Sequence, residues 1–500
     1  MTRLDALLTR GAPDAVALVQ GGRRASYAEL DGLVSALAAC FAAQGVEPGD
    51  RVAVYAPKSI EAVAAMFAAS RAGAVLVPVN PILKAAQVAH ILADSGARLL
   101  VTQRVRAEQL TAAEALGETK LLTIEDDWPS ATAAAAPGRP AGPDDLAAIL
   151  YTSGSTGRPK GVMLSHANLL VGAESVASYI GNTAGDRILA VLPLSFDAGF
   201  SQLTTAFHAG ASVVLLDYLL PRDVVKAVER HGVTGVTGVP PLWIQLAEID
   251  WPEAARASLR YLANTGGRMP VPVTRRLRGL FPDARLFLMY GLTEAFRSTY
   301  LDPSLVDAHP ESIGTAIPNA EVMVVRPDGS EASAGEPGEL VHAGPLVAQG
   351  YWRDPARTAE RFRPAPAWSR YGGMAAWSGD TVVRDGEGRL TFVGRDDEMI
   401  KTSGNRVSPT EIEEAAYATG AVAEAVALGI PDERLGQSIL LIAAPAGGRS
   451  PEEAEATLRG AMAATLPAYM LPRAIEWRTT LPRNANGKLD RAALRQERGA

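Results

Sequence analysis

Tyr151-Thr-Ser-Gly-Ser-Thr-Gly-Arg-Pro-Lys-Gly161 follows the apolar run Leu146 to Leu150. A short strand that ends where the glycines begin, with a polar loop behind it, is the kind of junction from which an α/β fold is built. In the loop, Thr152, Ser153, Gly154, Ser155, Thr156 and Gly157 offer backbone N–H groups and hydroxyls that can wrap phosphate oxygens, and Lys160 adds a cation on a long stem. A nucleotide polyphosphate is the expected ligand. Taken alone, a Gly/Ser/Thr cluster is usually only a turn. It is also not a Walker loop, because Pro159 precedes Lys160 and Gly161 follows it.

Outward from this loop, β-type runs alternate with helical patterns. Arg51 to Tyr55 and Ala74 to Val79 read as strands with a helix, Ser59 to Ala72, between them. Further strands are expected at 187–192, 212–216, 233–239, 259–264 and 285–290, and a helix at Pro221 to His231 closed by Gly232. This alternation predicts α/β architecture with largely parallel sheets. Ligands of such folds gather beyond the carboxyl ends of strands, where Thr152, Asp197, Gly238, Gly266 and Glu294 fall. The Ala/Pro/Gly-rich stretch 130–145 is expected to be an exposed loop. A second connector surrounds Gly394 to Lys401, and Ser408-Pro-Thr-Glu411 reads as a capping box opening a helix from Pro409 to Thr419. A domain boundary near Asp396 is expected, giving residues 1–395 and 396–500.

Five hundred residues exceed one compact core, and 47% apolar with 21% charged residues is a soluble, globular balance. Forty-eight basic against 55 acidic residues, with no basic stripe, argues against nucleic acid as a partner. The lone Cys40 excludes a disulfide framework and a cysteine zinc site, and reads as a small core residue of a helix. The charged N-terminus is not a signal peptide. The longest apolar region, Ala62 to Val79, is broken by Arg71 and Gly73 and reads as helix, turn and strand. Integral membrane association is not expected, and the cytoplasm is the expected address.

The loop at Tyr151 closely resembles the pyrophosphate-gripping loop of the adenylate-forming (AMP-binding) superfamily of acyl-CoA synthetases, peptide-synthetase adenylation domains and beetle-type luciferases. Four more strings resemble that superfamily's signatures: Tyr290-Gly-Leu-Thr-Glu294, Trp377-Ser-Gly-Asp380, Gly394-Arg-Asp-Asp397 and Asn484-Ala-Asn-Gly-Lys-Leu-Asp490. Each alone is an ordinary turn; together, in order, they identify the chain as a member. The resemblance implies a large α/β domain of stacked, mostly parallel sheets with helices, and a small mobile α+β C-terminal domain. It implies that Tyr290 stacks near adenine with Gly291 beside it, that Thr293 meets the α-phosphate, that Glu294 holds Mg²⁺, and that Asp380 accepts both ribose hydroxyls. Arg395 would approach the ribose, Asp397 would be the hinge, and Lys401, Gly404 and Arg406 follow at family spacing, Gly404 bordering a pantetheine tunnel. Lys488 would be the catalytic lysine bridging acid and α-phosphate, with Thr152, Lys160 and Glu294 completing the catalytic set. ATP, Mg²⁺, and CoA or a phosphopantetheine carrier are the implied cofactors and partners.

Phe196-Asp197 resembles amino-acid adenylation domains, whose aspartate pairs with the substrate ammonium. Their pocket carries over as Asp197, Ala198, Ser201, Gly238, Asn264, Gly266, Met289, Arg297 and Ser298, with Gly238 and Gly266 leaving room for the acid. Arg297 leaves alternatives open: it either satisfies Asp197 internally, as in a simple fatty- or aryl-acid ligase, or grips a second carboxylate or polar group of the substrate. Longer strings, including Gly238-Val-Pro-Pro-Leu-Trp-Ile-Gln-Leu246, resemble stand-alone AMP-forming acyl-CoA ligases associated with exosortase systems and discrete amino-acid adenylation enzymes. No carrier attachment motif follows Lys488, so the thiol is expected from outside. The expectation is an acid–thiol ligase; a catalytically silent nucleotide sensor and a luciferase-like oxygenase are the competing classes.

Overall fold

The strand Leu146–Thr152 joins Arg51–Tyr55, Val75–Pro78, Ala97–Thr102 and Lys120–Thr123 in parallel, and Lys160–Ser165 and Gly350–Tyr351 complete this seven-stranded sheet in the antiparallel sense. The structure, a computed structural model, describes residues 2–128, 142–152, 159–395, 398–402, 405–432 and 435–498. Most of the loop stretch expected at 130–145 and the whole of Ser153 to Gly157 therefore lie outside the described residues, as do Asp396, Asp397 and Gly404.

A second, fourteen-stranded sheet holds Val16–Gln20, Ser212–Leu215, Arg187–Ala190, Gly235–Gly238, Tyr261–Asn264 and Arg285–Tyr290 in parallel order. The alternation predicts largely parallel pairing, and through Tyr290 the strands pair that way except for Arg23–Ser26 against Val16–Gln20 and Lys160–Ser165 against Leu146–Thr152. From Thr299–Leu301 to Leu390–Arg395 the same sheet continues antiparallel. The link from Tyr290 to Thr299 is too short for the crossover of about a dozen residues that a parallel strand needs. The third sheet is drawn from Ile400–Thr402, Asn405–Val407, Val422–Asp432, Gly436–Pro445 and Ala474–Trp477. It has its own core around Ile412, Leu441 and Leu458.

Two helices lie between the large sheets. Ile60–Arg71 is buried from Ile60 through Ser70 apart from the half-buried Glu61, and Asp197–His208 from Asp197 through Phe207. A helix without an exposed face is a core element, and these two meet directly. Phe67 packs edge-on to Phe207 at 5.3 Å and tilts against Phe200 at 6.3 Å. The aspartate in the first turn of the second helix therefore stands on one of the most completely enclosed elements of the fold. Its approach is equally confined: a Cβ on Gly199 would lie 1.8 Å from the Pro193 carbonyl oxygen, so only glycine lets the segment before Phe196 fold back onto the helix.

Local signals held in part. Pro221–His231 ends at Gly232 with φ +59°, as its sequence predicts. The helix Pro409–Ala418 starts after Ser408 as expected, but the capping box does not form. The Ser408 hydroxyl donates instead to the Val393 carbonyl, and the Glu411 N–H is taken by the Ser408 carbonyl. Cys40 is partly buried at the edge of the core rather than within it. Among the described residues, no helix is long and apolar enough to cross a membrane.

Candidate active site

A cavity of about 520 Å³ opens beyond the carboxyl ends of Tyr261–Asn264 and Arg285–Tyr290, with Asn484, Lys488 and Glu413 on its far wall. Lys160, Arg297, Arg361, Arg395 and Lys488 share it with Glu294, Asp380 and Asp197. Arg268, paired with Glu414, and Arg491, paired with Glu398 and Glu413, also line it. Among the described residues the cavity thus holds seven cations against six carboxylates, and the five cations outside those pairs suit a ligand carrying negative charge.

The expected phosphate end is built on Thr152 and Lys160, which pair across the antiparallel ladder. Among the described residues the Thr152 hydroxyl is buried without a partner. Lys160 Nζ donates to Glu294 Oε1 at 3.0 Å and to the Tyr351 hydroxyl at 2.6 Å, and lies 4.2 Å over the Tyr351 ring. Tyr351 in turn donates to the same Glu294 oxygen at 2.5 Å. Burial pulls the Lys160 ammonium below its ordinary range, with Glu294 opposing. Burial pushes the Glu294 carboxyl up, but the charge of Lys160 and the hydrogen bonds from Tyr351 and Lys160 hold it below the usual carboxylate range. One buried carboxylate in the same cavity as an unpartnered hydroxyl suits a hard divalent cation that keeps most of its water.

At the expected nucleoside end, the Tyr290 hydroxyl donates to Asp380 Oδ2 at 2.5 Å and Arg395 Nε stands 2.8 Å from Oδ1. Burial raises the Asp380 carboxyl, with Arg395 and Tyr290 working against that. Asp380 therefore holds two protein groups where ribose hydroxyls were expected. Gly291 and Thr293 also line the cavity. Arg406 lies on Asn405–Val407, the antiparallel partner of Ile400–Thr402 that carries Lys401.

Lys488 arrives on a turn organised by Asn484, whose side-chain oxygen accepts the N–H groups of Asn486 and Lys488. Asn80 clamps the same turn by donating to the Ala485 carbonyl at 2.5 Å. Lys488 Nζ sits 4.8 Å over the Phe196 ring. Burial depresses its pKa; Asp197 is the strongest opposing charge, and Arg297 and Arg395 push the same way as burial. Gly266, at φ +76°, makes the approach possible, because a Cβ there would lie 2.6 Å from Lys488 Cε.

The expected acid pocket is only partly assembled. Asp197, Gly266, Met289 and Arg297 line the main cavity. Ala198 and Ser201 lie behind it, lining a void of about 10 Å³ that also touches Met289 and Arg297. Asn264 donates to the Gly267 carbonyl at 2.9 Å, leaving its side-chain oxygen unpartnered. Two positions depart from expectation. Gly238 is not open space: a Cβ there would lie 2.9 Å from Trp243 Nε1, so the indole fills the room the glycine leaves. Ser298 is fully buried and bonded to His342 Nδ1 at 2.9 Å, away from the cavity. The internal Asp197–Arg297 pair is absent. Asp197 Oδ1 accepts the Ala198 N–H at 2.7 Å, while Arg297 Nη1 donates to Thr265.

Tyr351 and Arg361 were missed. Tyr351 reaches the site because Gly350–Tyr351 pairs with Lys160–Ser165, a contact between segments far apart in sequence. Arg361 donates to the Trp377 carbonyl at 2.8 Å, and its charge bears on both Lys160 and Asp380. Only the aromatic-after-glycine string Gln349-Gly-Tyr-Trp352 could have drawn attention to the first.

Residues 8–352 match the model of the AMP-binding enzyme family, and residues 411–488 that of the AMP-binding enzyme C-terminal domain. A feruloyl-CoA synthase of Amycolatopsis is 35% identical over 98% of this chain and 97% of its own. An L-proline–[L-prolyl-carrier protein] ligase of Pseudomonas fluorescens is 32% identical over 97% and 96%. The crystal structure of ATP-bound MatB from Rhodopseudomonas palustris superposes with a TM-score of 0.87 at 27% identity, covering 99% of this chain and 98% of that one. The chain belongs to the AMP-binding enzyme family and is an ATP-dependent, AMP-forming ligase.

Proposed function

We propose that the chain adenylates a small amino acid or other polar-substituted acid and passes the acyl group to the phosphopantetheine thiol of CoA or a separate carrier protein. The observation that carries this is Lys488, half-buried with its ammonium over the Phe196 ring and its stem against Gly266, in the cavity that also holds Asp197, Lys160 and Glu294. An acid and an α-phosphate are both anionic, so a cation must stand where they meet. Lys488 neutralises the attacking carboxylate; its oxygen bonds to the α-phosphorus, the bond to the β-phosphate oxygen breaks, and pyrophosphate leaves. Lys160 and Thr152 hold the departing phosphates, and Tyr290, Asp380 and Arg395 hold the nucleoside once Asp380 exchanges its present partners for ribose. Mg²⁺ accompanying ATP would be held by Glu294 and supplies positive charge to the phosphate oxygens. In the second step the thiol sulfur, giving up its proton to solvent, bonds to the acyl carbon, the bond from that carbon to the phosphate oxygen breaks, and AMP departs.

In the same proposal, residues 1–395 form the large body and 396–500 a small one that turns about Asp397, withdrawing Lys488 so the thiol can enter. The use of ATP supports the cytoplasm as its address. Asp197 takes the substrate amine, a role supported by its burial and by the missing Arg297 pair. Acid-dependent ATP–pyrophosphate exchange tests this: amino acids should exchange, AMP should be the nucleotide product, and Asp197→Ala should harm amino acids far more than simple fatty acids. Exchange only with unsubstituted acids, indifferent to Asp197→Ala, would remove the ammonium role.

A further inference from the structure

Phe296 is the central residue of a γ-turn, with φ +55° and ψ −46° and the Arg297 N–H donating to the Ala295 carbonyl at 2.6 Å. Such turns are rare and strained, and positive φ is unfavourable for a bulky residue. The turn persists because the Phe296 ring is fully buried against Gly172, where a Cβ would lie 2.5 Å from ring carbon Cδ1. Its consequence is the direction of the next side chain. Arg297 is 2% exposed and lines the main cavity with Asp197 and Met289. Its Nη1 donates to Thr265 Oγ1 at 3.2 Å, its Nε has no partner, and among the described residues it makes no ion pair with any carboxylate.

A buried guanidinium without a counter-charge is costly, and backbone strain concentrates where it serves a ligand. The acid end of the cavity thus holds two cations, Lys488 and Arg297, against one carboxylate, Asp197. A substrate with two carboxylates and one ammonium balances these charges: Lys488 takes the reacting carboxylate, Asp197 the ammonium and Arg297 the second carboxylate. The void beyond Met289 and Arg297, about 10 Å³ and bordered by Ser201 and Thr205, has room for about one water, so the tail must end near the guanidinium. We propose that Arg297, aimed by the Phe296 turn, recognises a second carboxylate, and that the substrate is a short amino dicarboxylic acid. This rests on the ligase function proposed above.

The test is ATP–pyrophosphate exchange by the unmodified enzyme with four- and five-carbon amino dicarboxylic acids, compared with unbranched monocarboxylic amino acids of equal length. Hydrogen bonds to a charged, desolvated partner predict a kcat/KM preference of about 10²-fold for the dicarboxylic acids. Arg297→Met should bring that ratio close to one, and Arg297→Lys should restore part of it, which a merely structural arginine would not do. If Arg297→Met folds poorly, the preference of the unmodified enzyme decides alone. Equal or better exchange with monocarboxylic amino acids overturns the inference and leaves the ligase function standing. Failure of every acid to support exchange or AMP formation overturns both.

Discussion

Gly266→Ala isolates the position of Lys488 without touching its charge. A Cβ at Gly266 would lie 2.6 Å from Lys488 Cε, 3.1 Å from Nζ and 3.2 Å from Val239 Cγ1. Non-bonded carbons rest about 3.5–4.0 Å apart, so the lysine must withdraw by about 1 Å. The end of a lysine is flexible, and withdrawal itself costs little stability. The left-handed backbone adds about 1–2 kcal/mol for an L-residue. Misplacing a reacting group by about 1 Å costs about 10²-fold in rate, so acid-dependent pyrophosphate exchange should fall by that factor. Gly329→Ala is the matched control: its φ is +84° and a Cβ there meets nothing within 4 Å. Both variants should lose similar stability in a thermal melt, but only Gly266→Ala should lose exchange. Acyl transfer from a synthetic acyl-adenylate to a thiol should stay close to normal in both. A folded Gly266→Ala enzyme with a full exchange rate would refute the placement of Lys488 in the adenylating state.

Tyr351→Phe removes the hydroxyl bridging Lys160 and Glu294, and hydrogen bonds to charged groups are worth about 1.5–3 kcal/mol. Its KM for Mg²⁺-ATP, measured by exchange, should rise about tenfold or more, whereas an unchanged KM would make the phenol a packing group. Because burial depresses the Lys488 ammonium, the alkaline limb of the adenylation rate should fall below the ordinary lysine range. Asp197 opposes that depression, so Asp197→Asn should move the limb to still lower pH; a pH–rate profile moving upward would contradict the assignment. Because desolvation lowers its pKa, the Lys488 ammonium also destabilises the fold below its folded pKa, and that penalty is relieved as pH rises toward the unfolded value. Burial holds the His342 imidazole down at about 3. The unfolded chain then binds a proton that the fold refuses, so stability should be lost as pH falls from about 6.5 toward 3, by an amount on the order of a few kcal/mol. Urea midpoints at several pH values should show that loss reduced in His342→Gln, and parallel profiles would argue against it.

What the sequence could reveal was whatever is written locally. The parallel strands show as apolar runs, and Gly232 marks its helix end because a left-handed C-cap leaves a local signature. Phe196-Asp197 and Asn484 to Lys488 were recognisable strings, and both reach the cavity. Elements that depend on long-range pairing were opaque. Tyr351 enters the site only because its two-residue strand pairs with Lys160–Ser165. Between Thr299 and Arg395 the antiparallel strands are punctuated by a single short α-helix, Pro355–Arg361, rather than by one helix per strand. Side chains that fill space were equally hidden: Trp243 occupies the room beside Gly238, and Lys488 itself occupies the room at Gly266. Ser408 satisfies every local rule for a cap, yet its hydroxyl is drawn to Val393 by the packing of the preceding strand.

The most direct measurement separates the two half-reactions in Lys488→Ala. Pyrophosphate exchange with the best acid should fall by about 10²–10³-fold, the usual loss for one charge-stabilising donor, while thioester formation from a synthetic acyl-adenylate continues. Equal loss of both halves in a folded protein, or retention of exchange, would contradict a lysine that serves adenylation and then withdraws.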